Sequence, residues 1–209
     1  MARYTRWFLV SLFLTLLPAN LATAKTAQES MGVGLWQEAM AAHERYADEI
    51  GNDKYMVVID YRRHSGEPRF FLIDMKTGST KSYLVSHGRN SDKDHDGIAD
   101  TFSNTSGSKM SSLGTFVTAE TYYGKHGLSL RMDGLESQND AARDRAIVIH
   151  GADYVTPKRA KMGRSWGCPA LERGVAQDLI PKIADGVLVY TRGPGDQTQL
   201  YAEVVDKAG

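Results

Sequence analysis

The chain is 209 residues long, 42% hydrophobic and 24% charged, with 25 basic residues matched by 25 acidic ones and a single cysteine. That balance leaves no electrostatic footprint for nucleic acid or an anionic membrane surface, and one cysteine cannot staple a disulfide scaffold. The length suits one domain large enough to bury a core of its own.

At the start, Arg3 and Arg6 precede an apolar stretch from Trp7 to Leu17, followed by Pro18 and the small-residue run Ala22-Thr23-Ala24. This layout predicts a signal peptide over residues 1–24, cut before Lys25, because the apolar stretch is shorter than the roughly 18–20 residues a spanning helix needs. No membrane insertion is expected after its removal, and the remaining chain carries 23 basic against 25 acidic residues. In the segment 25–54, Leu35, Trp36, Ala39, Met40, His43, Tyr46, Ala47 and Ile50 recur at three and four, which predicts an amphipathic helix from Gly34 to Ile50.

Beyond that the period changes. Short β-branched and aromatic runs lie at Tyr55–Tyr61, Arg69–Met75, Lys81–Ser86, Thr115–Tyr123, Leu128–Met132, Ala146–His150 and Val187–Thr191, divided by turn residues such as Lys76-Thr77-Gly78-Ser79. They predict a mostly β, mainly antiparallel architecture. Ser86 to Leu113 is rich in Ser, Asp, Gly and Asn, and a loop this long is usually functional or disordered. A second helix is predicted from Pro169 or Leu171 to about Ala184, cut short or kinked by Pro181.

Cys168 follows Ser165-Trp166-Gly167 and precedes Pro169; His150 ends the apolar run Ile147-Val148-Ile149 and is followed by Gly151. A helix opening at Pro169 would make Cys168 its N-cap, where the helix dipole lowers a thiol's pKa and pre-ionises the nucleophile. Gly167 leaves room for a substrate carbonyl, and Pro169 has no N–H to offer. Oxyanion donors are therefore expected from Gly167 and Cys168 themselves or from a side chain. His150 is the expected general base, its ring oriented by a carbonyl of the Gly151-Ala152 turn. Taken singly, a cysteine or a histidine is more often a buried structural residue; the combination favours a catalytic pair.

These residues make the chain resemble the L,D-transpeptidase (YkuD-like) family, whose motif is a strand-end histidine with glycine or serine, then a Ser-x-Gly-Cys turn. His150-Gly151 and Ser165-Trp166-Gly167-Cys168 match it, and Ser112-Leu113-Gly114-Thr115-Phe116 is similar to the family's small-Pro-x-Gly-x-Phe segment. The resemblance covers residues 55–192. Trp166 stands where most members have a second histidine, and Pro169 where most have a residue with an N–H. With Gly124-Lys125-His126-Gly127 and Phe102-Ser103-Asn104, these departures resemble the murein L,D-transpeptidase catalytic-domain branch.

The resemblance implies a β-sandwich over 55–209, with an N-terminal helix and a helix after the cysteine. It implies a periplasmic or otherwise extracytoplasmic enzyme that acts on peptidoglycan stem peptides through a Cys168 thioester to form 3-3 crosslinks, with no cofactor and no metal. His150 would be the base, Gly167, Gly151 and Ser165 the backbone and oxyanion support, and Trp166, Arg164 and Tyr123 the substrate contacts. Hydrolysis of the same thioester would make it an L,D-carboxypeptidase or endopeptidase; a non-catalytic wall-binding module with the same fold is the alternative from another class.

Three further features leave alternatives open. Asp92, Asp94, Asp96 and Asp100 follow the spacing of a calcium loop around Gly97, but position twelve is Ser103 and no helix pair flanks them, so a solvated or substrate-covering loop is favoured. His126 and His87 lie near strand ends and read as turn histidines, either able to face the site. Arg131 suits either a stem carboxylate or an ordinary surface ion pair.

Overall fold

Strands β1 (Tyr55–Asp60), β2 (Phe70–Asp74) and β8 (Leu188–Arg192) are buried at almost every position because both faces of the sheet are covered there. The computed structural model describes residues 25–195, so the expected signal peptide lies outside the described residues. The other strands are β3 (Thr80–Tyr83), β4 (Gly114–Gly124), β5 (Gly127–Gly134), β6 (Val148–Gly151) and β7 (Ala170–Leu171). All eight join one sheet in the order β3-β2-β1-β8-β4-β5-β6-β7. Only β1–β8 and β6–β7 pair in parallel, so the mostly β, mainly antiparallel reading of the sequence is what forms.

The two ends of that order meet. The chain leaving β3 hydrogen-bonds to the chain entering β7: Ser86 N–H donates to the Ala170 carbonyl at 2.9 Å, Ser165 N–H to His87 at 2.8 Å, and Arg89 N–H to Ser165 at 2.8 Å. The sheet is thereby wrapped around one large core containing Val57, Ile59, Phe70, Leu72, Phe116, Leu130, Ile149 and Val189, with α3 (Arg173–Leu179) packed into it through Ala176 and Leu179. Wrapping leaves few edges, and the mostly β body is built on this one large sheet.

The alternate side chains of the same strands, Met56, Val58, Phe71, Ile73, Leu188 and Tyr190, face the opposite way and form a second core with the N-terminal helices. The single helix expected over 34–50 is α2 (Val33–Arg45) plus a short 3₁₀ turn at Ala47–Glu49. Ahead of it lies α1 (Ala27–Met31), opened by a capping box in which Glu29 N–H donates to Thr26 Oγ1 and Thr26 N–H to Glu29 Oε2. Buried Ala27, Met31, Leu35, Ala39 and Ala42 seat the helices on the sheet. Among the described residues no helix is long and apolar enough to cross a membrane.

The helix after the cysteine starts later than the sequence predicts. Ala170 and Leu171 instead pair with His150 and Gly151 as β7, and Glu172 is the N-cap of α3. Cys168 is therefore four residues ahead of the N-cap, and a helix dipole does not account for its ionisation; the ladder to β6 outcompetes the helical start that Pro169 suggested.

Candidate active site

The turn that carries Cys168 is held by serines. Ser165 Oγ accepts from Gly167 N–H at 3.1 Å and donates to the Cys168 carbonyl at 2.6 Å. From the other side, Ser111 Oγ donates to the Gly167 carbonyl at 3.0 Å and accepts from Gly88 N–H at 3.0 Å. Gly167 has φ +127°, and a Cβ there would lie 2.7 Å from the Met110 carbonyl oxygen and 2.9 Å from Ile147 Cδ1, so only glycine fits. Gly167 N–H, expected as an oxyanion donor, is already bonded to Ser165 Oγ, and Cys168 N–H lies against its own thiol.

The thiol is half-buried, and its sulfur lies 3.5 Å from the carbonyl of Ala146, which takes a left-handed φ of +53°. Burial pushes the thiol above its ordinary pKa, opposed by a backbone hydrogen bond from Val148 and by the charges of Arg145 and Lys125. The pre-ionised thiolate expected from a helix N-terminus is thus replaced by a resting thiol, which needs a base.

An imidazole shares the cleft with that thiol. In β6, Ile149 enters the main core while Val148 and His150 face the other way, into a cleft of about 340 Å³ that Cys168 also lines. His150 is 2% exposed, and its Nδ1 lies 3.0 Å from the Gly151 carbonyl, which fixes Nδ1 as the protonated nitrogen and leaves Nε2 to accept. Burial lowers its pKa to about 4, against the Gly151 hydrogen bond and with help from His126, Arg173 and Lys125, so the ring is neutral at pH 7. Gly151 contributes by its smallness: a Cβ would lie 3.0 Å from Arg173 Cα, where α3 crosses the strand.

A family model described as the L,D-transpeptidase catalytic domain (YkuD_2) matches residues 27–191. The chain belongs to this L,D-transpeptidase family. Among solved structures it is similar to L,D-transpeptidase 3 from Mycobacterium tuberculosis carrying a faropenem-derived adduct, at 12% identity and TM-score 0.44, over 66% of this chain and 60% of that one. It is similar to an L,D-transpeptidase from Mycobacterium smegmatis at 11% identity and TM-score 0.43, over 67% and 59% of the two chains. A third is the helical cell shape determining protein Pgp2 of Campylobacter jejuni, at 12% identity and TM-score 0.45, over 75% and 54%. The chain thus spans 54–60% of the length of these three proteins. No curated protein sequence matches it.

Within this L,D-transpeptidase domain the expected substrate contacts separate. Trp166 lines the cleft mouth, 66% exposed, with Lys109 Nζ 4.8 Å and Lys125 Nζ 5.6 Å from its ring centre. Arg164 also lines it, but its Nη1 donates to the loop carbonyls of Arg89 and Asp92, so that nitrogen braces the loop rather than awaiting a carboxylate. Tyr123 is 83% exposed and outside the cleft; strand alternation turns Tyr122 inward in its place. Arg131 pairs with Glu120 at 3.0 Å and stacks on Tyr122, an ordinary surface pair outside the cleft lining.

The sequence reading missed Arg145, Ser129 and Tyr154, all in the cleft lining, and gave Lys125 no site role; of the two turn histidines it left able to face the site, His126 lines the cleft. Arg145 donates to the carbonyls of Ser103 and Met110, both at 2.7 Å, tying the long loop to the cysteine turn. A signal was present for Ser129, which a register opposite His150 in β5 would have exposed; none marked Arg145.

The loop from Ser86 to Leu113 is anchored from within. His87, 1% exposed, takes an Arg69 N–H on Nδ1 at 2.7 Å and donates through Nε2 to Asp92 at 3.0 Å. Both ring nitrogens are used, and burial with the Arg69 charge lowers its pKa to about 4. His87 is thus structural and outside the cleft lining. Asp92, Asp94 and Asp96 each bring a carboxylate oxygen within 4.8 Å of the others. Asp92, however, already accepts from Asp96 N–H, Gly97 N–H and His87, which makes it the loop's own anchor.

Proposed function

We propose that this protein is an exported cysteine L,D-transpeptidase that acts on peptidoglycan stem peptides through a Cys168 thioester and forms 3-3 crosslinks. The observation that carries the reading is one cleft lined by a thiol, a neutral imidazole whose Nδ1 is engaged by the Gly151 carbonyl, and three cations, Lys125, Arg145 and Arg164, with no carboxylate among its described lining residues. Such a wall favours an anionic peptide, and a stem tetrapeptide brings carboxylates at its diamino acid and its terminal D-alanine. Export rests on the leader read over residues 1–24.

In the first half-reaction His150 Nε2 takes the Cys168 proton and the thiolate attacks the carbonyl that joins the diamino acid L-centre to D-alanine. The oxyanion so formed accepts from Cys168 N–H. Collapse breaks the C–N bond; the imidazolium gives its proton to the leaving amine, and D-alanine departs from a thioester. In the second half a neighbouring stem's side-chain amine attacks the thioester carbonyl and loses a proton to His150; the C–S bond breaks as the new amide forms, and the imidazolium returns its proton to the departing Cys168 thiolate. Water in place of the amine would give a tripeptide and make the protein a carboxypeptidase.

The test is mass spectrometry of disaccharide-tetrapeptides incubated with residues 25–209, beside Cys168→Ala and His150→Ala. Dimers lacking one D-alanine, absent from both variants, are expected. Tripeptide monomers alone would move the reading to hydrolysis, and unchanged tetrapeptide would refute both.

A further inference from the structure

The hairpin between β4 and β5 turns through Lys125 and His126, with Gly127 at φ +79°, and lays the His126 ring on His150. Ring centres are 4.2 Å apart and the planes meet at 23°. The acyl-transfer scheme above makes no use of His126, although it covers one face of the base and lines the same cleft. That face is covered and Nδ1 is bonded to Gly151, so Nε2 is the ring nitrogen outside that bond, in the cleft that Cys168 also lines.

The groups around His126 bear on its charge. Lys125 adjoins it on the turn, Arg173 approaches from α3, His150 lies beneath it from β6, and Cys168, Arg145, Tyr122 and Tyr154 share the cleft. Burial, then Lys125 and Arg173, lower its pKa from the ordinary histidine value. A neutral ring on His150 tolerates an imidazolium against its π face. A protonated one would put like charge at stacking distance, with no carboxylate among the described lining residues to offset it.

We propose that His126 is a positioning residue for His150: uncharged, it holds the base ring with Nε2 toward the thiol, and protonated, it opposes proton uptake by His150. This rests on the thiol–imidazole reading of the site, but its test needs no turnover. Cys168 is the only thiol in the chain, so the rate of its alkylation by iodoacetamide from about pH 5 to 9 reports how readily its proton is lost.

The profile is measured for the parent protein, His126→Phe, His126→Ala and His150→Ala, each checked for folding by circular dichroism. His126→Phe keeps a flat ring without a charge, and its acidic limb should move to lower pH, with alkylation on that limb rising about threefold to tenfold. His126→Ala should move the limb likewise and slow alkylation near neutrality, since the base ring is no longer held. An acidic limb unmoved in the folded variants, whether or not rates fall uniformly, would overturn the proposal. If His150→Ala also leaves the parent profile intact, the thiol–imidazole pair itself fails; if it alters the profile while the His126 variants do not, only the role of His126 is lost.

Discussion

Replacing Gly167 with alanine tests whether the cysteine turn is as constrained as its geometry implies. The new Cβ would sit 2.7 Å from the Met110 oxygen and 2.9 Å from Ile147 Cδ1. Neither neighbour yields easily: Arg145 holds the Met110 carbonyl at 2.7 Å, and Ile147 is 3% exposed within the main core. Holding a non-glycine residue at φ +127° costs about 1–3 kcal/mol, and forcing a methyl into a filled space about 1–3 kcal/mol more. A loss of about 3 kcal/mol in a domain of this size lowers Tm by roughly 10 °C. Circular dichroism melts of residues 25–209 read the shift, and iodoacetamide kinetics on Cys168 should slow or quicken together with it, because Ser165 fixes Gly167 and Cys168 jointly. Gly34→Ala is the control: Gly34 is exposed in α2 with no atom within 4 Å of a new Cβ, so it should stabilise by about 0.5–1 kcal/mol. Equal melting temperatures for Gly167→Ala and the parent would refute the argument.

Arg69→Met should cost about 3–5 kcal/mol in urea unfolding, because it strips the Val85 and Arg63 carbonyls and His87 Nδ1 of their buried donor; a loss under about 1 kcal/mol would contradict the network. His87 and His150, both buried, have folded pKa values near 4 against 6.5 for the free side chain, so the unfolded chain binds more protons in between. Their contribution is fully present above about pH 6.5 and lost as pH falls toward 4, and Tm should drop across that window; a flat Tm from pH 6.5 to 4.5 would be the contrary result. Since Asp92 is tied to its own loop, adding EDTA or millimolar calcium should leave Tm unchanged, and a rise of several degrees with calcium would instead make the acidic loop a metal site. Lys109→Ala combined with Lys125→Ala should raise KM for tetrapeptide with little change in kcat, most visibly at low salt; an unchanged KM would remove these lysines from substrate capture.

What was legible in the sequence followed from local rules. The strand runs at Tyr55, Arg69 and Val187 carry β-branched and aromatic residues at positions buried on both faces, and each forms a strand. Alternation in β6 put Ile149 in the core and His150 in the cleft, and the family motif pointed to the pairing of that histidine with Cys168 in one cleft. The errors came where a distant partner decides. Pro169 is a fair helix opener by itself, yet Ala170 and Leu171 have β6 beside them, and a ladder formed across 20 residues of sequence outweighs a local preference. Tyr123 and Tyr122 are indistinguishable in composition; a register shift between Thr118 and Thr121 resets which of them faces inward.

The same reasoning explains why His150 is more closely supported than the sequence suggests. The second histidine that most relatives carry beside the cysteine is Trp166 here, and the chain supplies another imidazole from the β4–β5 turn, remote in sequence but in contact with His150. Its neighbours Gly124 and Gly127 read only as turn residues, since a hairpin's register and the strand beside it must be known before its tip can be placed. A resting thiol raised by burial and an imidazole lowered by it form a neutral pair, so proton transfer creates two charges in a partly buried cleft. The cations Arg145 and Lys125 favour the thiolate side of that transfer, while an uncharged His126 is what the imidazolium side requires. The balance between these two demands makes the pH at which Cys168 becomes reactive a property of the whole cleft rather than of the cysteine turn alone.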